Sequence, residues 1–152
     1  MKKFAVLMLL VAFSTGLAFS QNTLTISATV AASVSVSVAN TNAQALTLTT
    51  AGSQTKKVGE ATFSSNTTGW TVSVSSANNG VLLGTLGSSV AYTLLIADIM
   101  GTSTALTTAA KTFSQSLTMD ALMKNVSITY TGVPTLAADT YSDTVTITVS
   151  AP

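Results

Sequence analysis

The residues of this chain that could carry acid–base or nucleophilic chemistry are its carboxylates, lysines and hydroxyls. The sequence of 152 residues contains no His, Cys or Arg, which excludes a Ser-His-acid triad, a thiolate nucleophile and a zinc site built on His or Cys within one chain. The five carboxylates are Glu60, Asp98, Asp120, Asp139 and Asp143. They are scattered, and neither an Asp-rich calcium loop nor a glycine-rich phosphate loop accompanies them.

Asp139 and Asp143 stand closest together in the sequence, and a pair of carboxylates is the apparatus of glycoside hydrolysis. They bracket a turn and the start of the last predicted strand, where Asp more commonly hydrogen-bonds to turn backbone. We therefore predict a structural role for both residues. For the whole chain we predict no enzymatic activity, no metal site and no cofactor.

The low charge of the chain excludes several classes of partner. Charged residues make up 7% of the sequence, and they form no basic cluster of the kind that binds nucleic acid or an anionic membrane surface. Ser and Thr supply polarity instead, in a composition that favours strands over helices. With zero Cys, an exported form of the chain must be stable without disulfides, and subunit assembly is one candidate source of that stability.

The N-terminus has the pattern of a secretory signal. Lys2 and Lys3 precede an apolar run, Phe4–Phe13. The small residues of Ala18-Phe19-Ser20, Ala18 and Ser20, follow at the spacing of a cleavage site. A membrane anchor is the alternative, but the apolar run is too short to span a bilayer. We predict that residues 1–20 are a signal peptide, that the mature protein is exported and that it is not embedded in a membrane.

Strict alternation marks the stretch from Leu24 to Val38, LTISATVAASVSVSV. Every even position is apolar and every odd position except Ala31 carries a hydroxyl, a period of two that gives an extended chain one apolar face. At about 3.3 Å per residue the stretch would span about 50 Å, far more than an ordinary strand of about five or six residues. We therefore predict two consecutive strands, broken near Ala31 to Ser33.

The first of these strands, Leu24 to Val30, would begin only a few residues after the predicted mature N-terminus. An apolar strand with an unpaired edge at a chain end invites pairing with another chain. Either it folds back into its own domain, or it completes the sheet of another molecule. The residues alone leave both possibilities open, and the choice between them decides the function.

The remainder of the chain has the pattern of short strands separated by turns rich in Gly, Asn and Pro. Alternating or apolar runs predict strands over Ala45–Thr49, Lys56–Ser65, Trp70–Ser75, Val90–Ile96, Phe113–Thr118, Asn125–Tyr130 and Tyr141–Val149. Val90–Ile96 is almost continuously apolar, so we expect it to be buried on both faces. Gly52–Gln54 is predicted to be a loop and Ala105–Lys111 to make one helical turn.

This succession shows no alternation of strands with helices, so the predicted fold class is an all-β, antiparallel β-sandwich of immunoglobulin-like kind. Trp70, the one Trp of the sequence, begins an alternating apolar face and is predicted to lie in the core. An exposed ring that stacks on a sugar is the alternative.

Three segments resemble the pilins of bacterial chaperone-usher fimbriae. The segment QNTLTISATVAASVSVSV, from Gln21, is similar to the N-terminal part of class 5 major fimbrial subunits, which also lack disulfides. Ser64–Ser76, SSNTTGWTVSVSS, resembles a strand-turn-strand of surface β-sandwich domains. The end of the chain, LAADTYSDTVTITVSAP, is similar to the last strand of archaic pilins and of the spore coat protein U group. The three cover about 48 of the 132 residues that follow the signal.

The resemblance implies an immunoglobulin-like sandwich that lacks its last strand and exposes its core in a groove. In such pilins a periplasmic chaperone fills the groove first. The N-terminal strand of the next subunit then replaces the chaperone at an outer-membrane usher, a process called donor-strand exchange. The implied partners are therefore copies of the same chain, a chaperone and an usher, with a host-surface glycan as a further possibility. The implied location is the periplasm and then the cell surface, in a fimbria that supports adhesion or biofilm.

Carried over by position, the resemblance divides the chain into a signal peptide at 1–20, a donor-strand segment at 21–31 and a pilin domain at 32–152. The implied donor side chains are Leu24, Ile26, Ala28 and Val30. The implied wall of the acceptor groove is Val145, Ile147 and Val149.

Two other functions remain open at this stage. The chain could be a self-complete β-sandwich, secreted or of the spore-coat type, that does not polymerise. It could also be a carbohydrate-binding or adhesive tip module, which should expose an aromatic cluster around Trp70.

Overall fold

The computed structural model of the protein describes residues 25–40 and 46–152, so the predicted signal peptide and Leu24 lie outside the described residues. Strands, turns and irregular segments make up these two ranges, and no helix occurs in them. The strands are β1 (Val34–Asn40), β2 (Gly52–Ser65), β3 (Trp70–Ser76), β4 (Val81–Gly84), β5 (Ser89–Ile96), β6 (Thr104–Ala105), β7 (Lys111–Gln115), β8 (Met119–Gly132), β9 (Tyr141–Ser142) and β10 (Val145–Ser150). Accordingly, these residues contain no helix able to cross a membrane.

The strands form two sheets, and every pairing in them is antiparallel. The larger sheet has seven strands in the order β1-β2-β8-β5-β4-β9, with β6 also paired to β5. The smaller sheet has three strands in the order β10-β3-β7. Apolar side chains from both sheets pack into one core. The predicted all-β, antiparallel fold is therefore confirmed, and its two sheets are sandwich-like.

Trp70 and Phe63 are the largest fully buried side chains of this core. Trp70 begins β3 and Phe63 lies on β2, and their ring centroids are 6.0 Å apart at a tilted angle. The indole Nε1 of Trp70 donates a hydrogen bond to the carbonyl oxygen of Leu117 at 2.8 Å. The prediction that Trp70 lies in the core is confirmed, and the alternative of an exposed sugar-stacking ring is wrong.

The alternating stretch contains one strand, because β1 follows the predicted break and residues 25–30 are assigned to no strand. All six of these residues are exposed. The prediction of a strand over Leu24 to Val30 is therefore wrong for residues 25–30 of the single chain. The physical reason is that an extended segment becomes a strand when neighbouring backbone accepts and donates its hydrogen bonds, and no described residue pairs with it as a strand.

Tertiary pairing also overrides two local predictions in the middle of the chain. Gly52–Gln54, predicted to be a loop, is the start of β2 because it pairs with the end of β8, Gly52 opposite Gly132. Ala105–Lys111, predicted to be a helical turn, contains no helix, and Thr104–Ala105 pairs instead with β5. In both places hydrogen bonding with a strand distant in sequence outweighs the local conformational preference of the residues.

Two further predictions miss in their details. Residues 46–49 are not a strand, and Ala45 is outside the described residues. They lead into a turn in which the Thr50 amide donates to the Thr47 carbonyl at 3.4 Å. Leu46 and Leu48 are half-buried against the core. The strand β5 buries one face rather than two, because its even-numbered residues are buried while Ala91 is exposed. The second apolar face of this strand therefore does not lie in the core.

The predicted strand Tyr141–Val149 is two strands that belong to different sheets. The first, β9, pairs with β4 in the larger sheet, and the second, β10, pairs with β3 in the smaller sheet. The chain crosses between the sheets at Asp143 and Thr144, where the Asp143 carboxylate accepts hydrogen bonds from backbone amides. This crossing brings β10 beside one border of the larger sheet.

Candidate functional site

A groove of about 540 Å³ opens between the two border strands β1 and β10, and we refer to it as the edge groove. Its walls include Val38 and Asn40 of β1 and Val145 and Ile147 of β10. Its floor consists of core side chains of the larger sheet, among them Leu82, Leu94, Val126 and Ile128. These four floor side chains are only 1–8% exposed, so the edge groove lies against the border of a core that is itself closed.

The alternation of β10 explains why its wall of the edge groove is apolar. Val145, Ile147 and Val149 are half-buried and pack against the core, and the threonines between them, Thr146 and Thr148, are exposed. On a strand, successive side chains point to opposite faces, so each step of two residues brings another apolar side chain to the core side. The opposite wall is more open, since the Val38 side chain is 52% exposed.

Both border strands have a backbone edge with which no described strand pairs. Among the described strands, β10 pairs only with β3, and β1 pairs only with β2. An unpaired edge presents a row of amide and carbonyl groups to which an extended chain can add. The edge groove thus combines apolar side-chain pockets with free main-chain groups, which are the two features that bind an extended peptide.

The residues predicted from the sequence to form a functional site fall in two places. Val145 and Ile147 line the edge groove, whereas Val149 packs against the core farther along β10 and is not among the groove's lining residues. Ile26 and Val30 are 87% and 84% exposed, and Ala28 is also exposed. Leu24 lies outside the described residues.

One end of the edge groove is built by a hydrogen-bonded cluster that was not predicted from the sequence. Asp143 Oδ2 accepts hydrogen bonds from the hydroxyls of Tyr92 and Ser76, each at 2.6 Å. Asp143 Oδ1 accepts from the backbone amides of Asn78 at 3.0 Å and Thr144 at 2.7 Å. The cluster ties the crossing between β9 and β10 to β3 and β5. The sequence signalled only a turn role for Asp143, because its other partners, Ser76, Asn78 and Tyr92, are more than fifty positions away.

Burial and the Asp143 carboxylate both raise the pKa of Tyr92 well above its usual value of 10.0. Burial is the larger cause, since a phenolate would lose its hydration, and the hydrogen bond to Asp143 adds to it. The Tyr92 hydroxyl therefore stays protonated at neutral pH and acts as a fixed donor. This cluster is suited to holding the groove's end in place.

Asp139 performs a similar task for the loop that precedes β9. Its carboxylate accepts hydrogen bonds from the hydroxyl of Thr85 and from the backbone amides of Leu86 and Thr140, the last two at 2.7 Å. The close approach depends on Gly84, where an added Cβ would lie 2.6 Å from Asp139 Oδ2. Hydrogen bonds from Thr85 and then from Leu86 lower the pKa of Asp139 below its ordinary value of 3.8.

The remaining carboxylates are at the surface. Glu60 forms an ion pair with Lys57, and Asp98 forms one with Lys124 at 2.8 Å. Asp120 is exposed on β8. Within residues 25–40 and 46–152, no group of three acidic side chains is arranged to hold a metal ion. The predicted structural role of Asp139 and Asp143 agrees with the hydrogen bonds that each accepts.

Comparison with known proteins identifies no family for this chain. No protein-family model matches the chain. No curated protein matches its sequence.

The two buried tyrosines of the larger sheet offer a matched test of the hydrogen-bonded cluster. Tyr92→Phe removes a donor to Asp143 and should lower the free energy of unfolding by about 1–3 kcal/mol. Tyr130→Phe should change it by about zero or stabilise by up to about 1 kcal/mol, because among the described buried side-chain atoms the Tyr130 hydroxyl has no hydrogen-bond partner. Urea unfolding of both variants measures the difference, and equal losses would contradict the role of the cluster.

Asp139 should make the stability of the protein depend on acid pH. Because folding lowers its pKa, the unfolded chain binds a proton more readily, so the stabilisation is present above pH 3.8 and is lost as the pH falls below that value. Asp139→Asn should therefore lower the urea midpoint at about pH 7 but much less at about pH 2.5. Asp120→Asn, an exposed carboxylate on β8, is the control. A deficit of the Asp139 variant that is the same at both pH values would refute this assignment.

Proposed function

We propose that the protein is a structural, non-enzymatic subunit of a bacterial surface fimbria that assembles by donor-strand exchange. In this proposal the domain is an incomplete immunoglobulin-like sandwich, and residues 24–30 of a second copy complete it. The observation that carries the proposal is the pairing of features in one chain: an edge groove lined by apolar side chains beside the core, and an exposed segment whose alternate residues are apolar.

The spacing of the segment suits the spacing of the groove wall. Ile26, Ala28 and Val30 recur every second residue, as do Val145 and Ile147 on β10. In extended chains this period places successive side chains of one face about 6.6 Å apart in both strands. A segment that adds to the outer edge of β10 would therefore direct its apolar residues toward the floor while Thr25, Ser27 and Thr29 face solvent.

The expected energies indicate that neither the side chains nor the backbone would suffice alone. Full burial of Leu24, Ile26 and Val30 contributes about 1.5–3 kcal/mol each, or about 5–9 kcal/mol together. Association costs about 4–15 kcal/mol in lost freedom of motion and in ordering. The side chains therefore roughly offset that cost, and stable binding needs the main-chain hydrogen bonds to β10, at about 0.5–1.5 kcal/mol each.

The proposal also includes a route by which a chain with an aggregation-prone edge would reach the cell surface. A chain with an open apolar groove and an exposed apolar segment would pair indiscriminately during export. A periplasmic chaperone that occupies the edge groove, and an outer-membrane usher at which the second copy replaces it, would prevent this. The proposed location is accordingly the periplasm and then the cell surface, with adhesion or biofilm as the supported process.

A self-complete β-sandwich is the second candidate, and one observation favours it. Trp70, Phe63 and Ile96 are 0% exposed in the single chain, so the centre of the core is closed without any added strand. Under this alternative the edge groove is a surface feature, the protein is a monomeric secreted or coat-type domain, and residues 25–30 have no binding partner.

Substitutions within the exposed segment should separate the two candidates. Ile26→Asp places a carboxylate on the apolar face and should reduce self-association by about 100-fold or more, because a buried unpaired charge is strongly unfavourable. Thr25→Asp adds the same charge to the neighbouring hydroxyl position and should leave association within about threefold of the parent. Both positions are exposed in the single chain, so neither change should lower its stability. Light scattering of protein co-expressed with a fimbrial chaperone measures the assembly.

The deletion of residues 21–31 provides the complementary arm of this experiment. The shortened chain keeps the edge groove and loses the segment, so it should remain monomeric and should bind a synthetic peptide of residues 22–31. The peptide with Ile26→Asp should not bind. Polymers that persist unchanged after the deletion, or a shortened chain that does not bind the peptide, would refute the proposal. The self-complete sandwich would then be the remaining candidate.

A further inference from the structure

Asn66, the first residue after β2, forms three hydrogen bonds with the backbone just ahead of β1. Its side-chain Oδ1 accepts from the Ser33 amide at 2.7 Å, and its Nδ2 donates to the Ala31 carbonyl at 2.8 Å. Its own backbone amide donates to the Ser33 carbonyl at 3.2 Å. Residues 31–33 are thus held to the domain although they belong to no strand.

The Asn66 amide group takes the place of a missing stretch of strand. The ladder between β1 and β2 ends at Val34 opposite Ser65, and the chain then turns away into β3. A carboxamide carries one acceptor and one donor group, as a peptide unit does, so it continues the ladder beyond the end of β2. Asp has the same shape but only acceptors when ionised, so it could not donate to the Ala31 carbonyl.

These hydrogen bonds end where the exposed apolar segment begins. Val30 is 84% exposed, and the next residue, Ala31, is the one whose carbonyl Asn66 binds. No slack residues therefore separate the last apolar side chain of the segment from the anchored backbone. A flexible connection of even a few residues would allow the segment to move independently of the domain.

We infer that Asn66 is a positioning residue that makes the joint between the segment and the domain short and stiff. The inference rests on the proposed function, because in a filament this joint sets the spacing and the bending of consecutive subunits. Loss of the Asn66 side-chain bonds should leave the edge groove and the segment's affinity unchanged. It should release residues 31–33 as a flexible hinge between subunits.

The anchoring itself is measured by amide hydrogen exchange at Ser33, in protein carrying Ile26→Asp to prevent assembly. Asn66→Ala removes the acceptor for the Ser33 amide and the donor to Ala31, so it should accelerate this exchange by about fivefold or more. Asn66→Asp keeps an oxygen that accepts from the Ser33 amide and should accelerate the exchange less. Asn125→Ala makes the same truncation at an exposed position of β8 and should alter it by less than about twofold. Unchanged exchange at Ser33 in the Asn66→Ala variant would overturn the inference, whether or not the protein polymerises.

The consequence for assembly is measured on filaments by electron microscopy. Filaments of Asn66→Ala should form in the parental amount and have a persistence length at least about twofold shorter, whereas those of Asn125→Ala should be as stiff as the parent. Parental stiffness in the Asn66→Ala variant would refute the role of the joint while leaving donor-strand exchange intact. Absence of filaments from the parent itself would instead refute the proposed function.

Discussion

The unequal size of the two sheets is the constraint on which the rest of the structure depends. Three strands face seven, and among the described strands the smaller sheet ends at β10, so no described strand pairs with the outer edge of β10. The apolar side chains Leu94 and Ile128 line the groove beside that edge. Because an added strand would pair with the edge and cover the groove, the proposed site consists of backbone and apolar side chains rather than reactive groups.

Three polar side chains hold the backbone where it turns or crosses between the sheets. Asp143 fixes the crossing by which the chain leaves the larger sheet and enters β10, and Asp139 fixes the loop just before it. With no cysteine to form a disulfide and few charges, the chain relies on buried or converging hydrogen bonds where disulfide-containing domains use covalent links. Asn66 acts in the same way at the start of β1. Carboxylate and amide groups are therefore placed where the backbone changes direction, which agrees with their ordinary use in turns.

The sequence predicts those strands in which apolar and polar residues alternate and turn residues mark both ends. β3 and the buried face of β8 follow from period two and turn residues, and so does the burial of Trp70. The crossing at Asp143 could not be predicted, because Tyr141 and Val145 keep one unbroken alternation although they belong to different sheets. The start of β2 was also hidden, since Gly52 and Ser53 resemble a loop until β8 pairs with them. In the candidate site, the wall residues Val145 and Ile147 could be named from alternation, but the floor and Tyr92 are brought there by pairing across the whole chain.

Cysteine pairing between two molecules tests the central claim most directly, because the chain has no cysteine of its own. One chain carries Ala28→Cys and another carries Val145→Cys or Ile147→Cys, with Thr146→Cys as the outward-facing control. A disulfide requires Cβ atoms within about 4.5 Å, so it reports the segment of one copy inside the edge groove of another. We expect oxidation to produce covalent dimers with at least one of the two groove-facing cysteines and not with the control. Dimers that form equally well with Thr146→Cys, or with none of the three, would contradict the account.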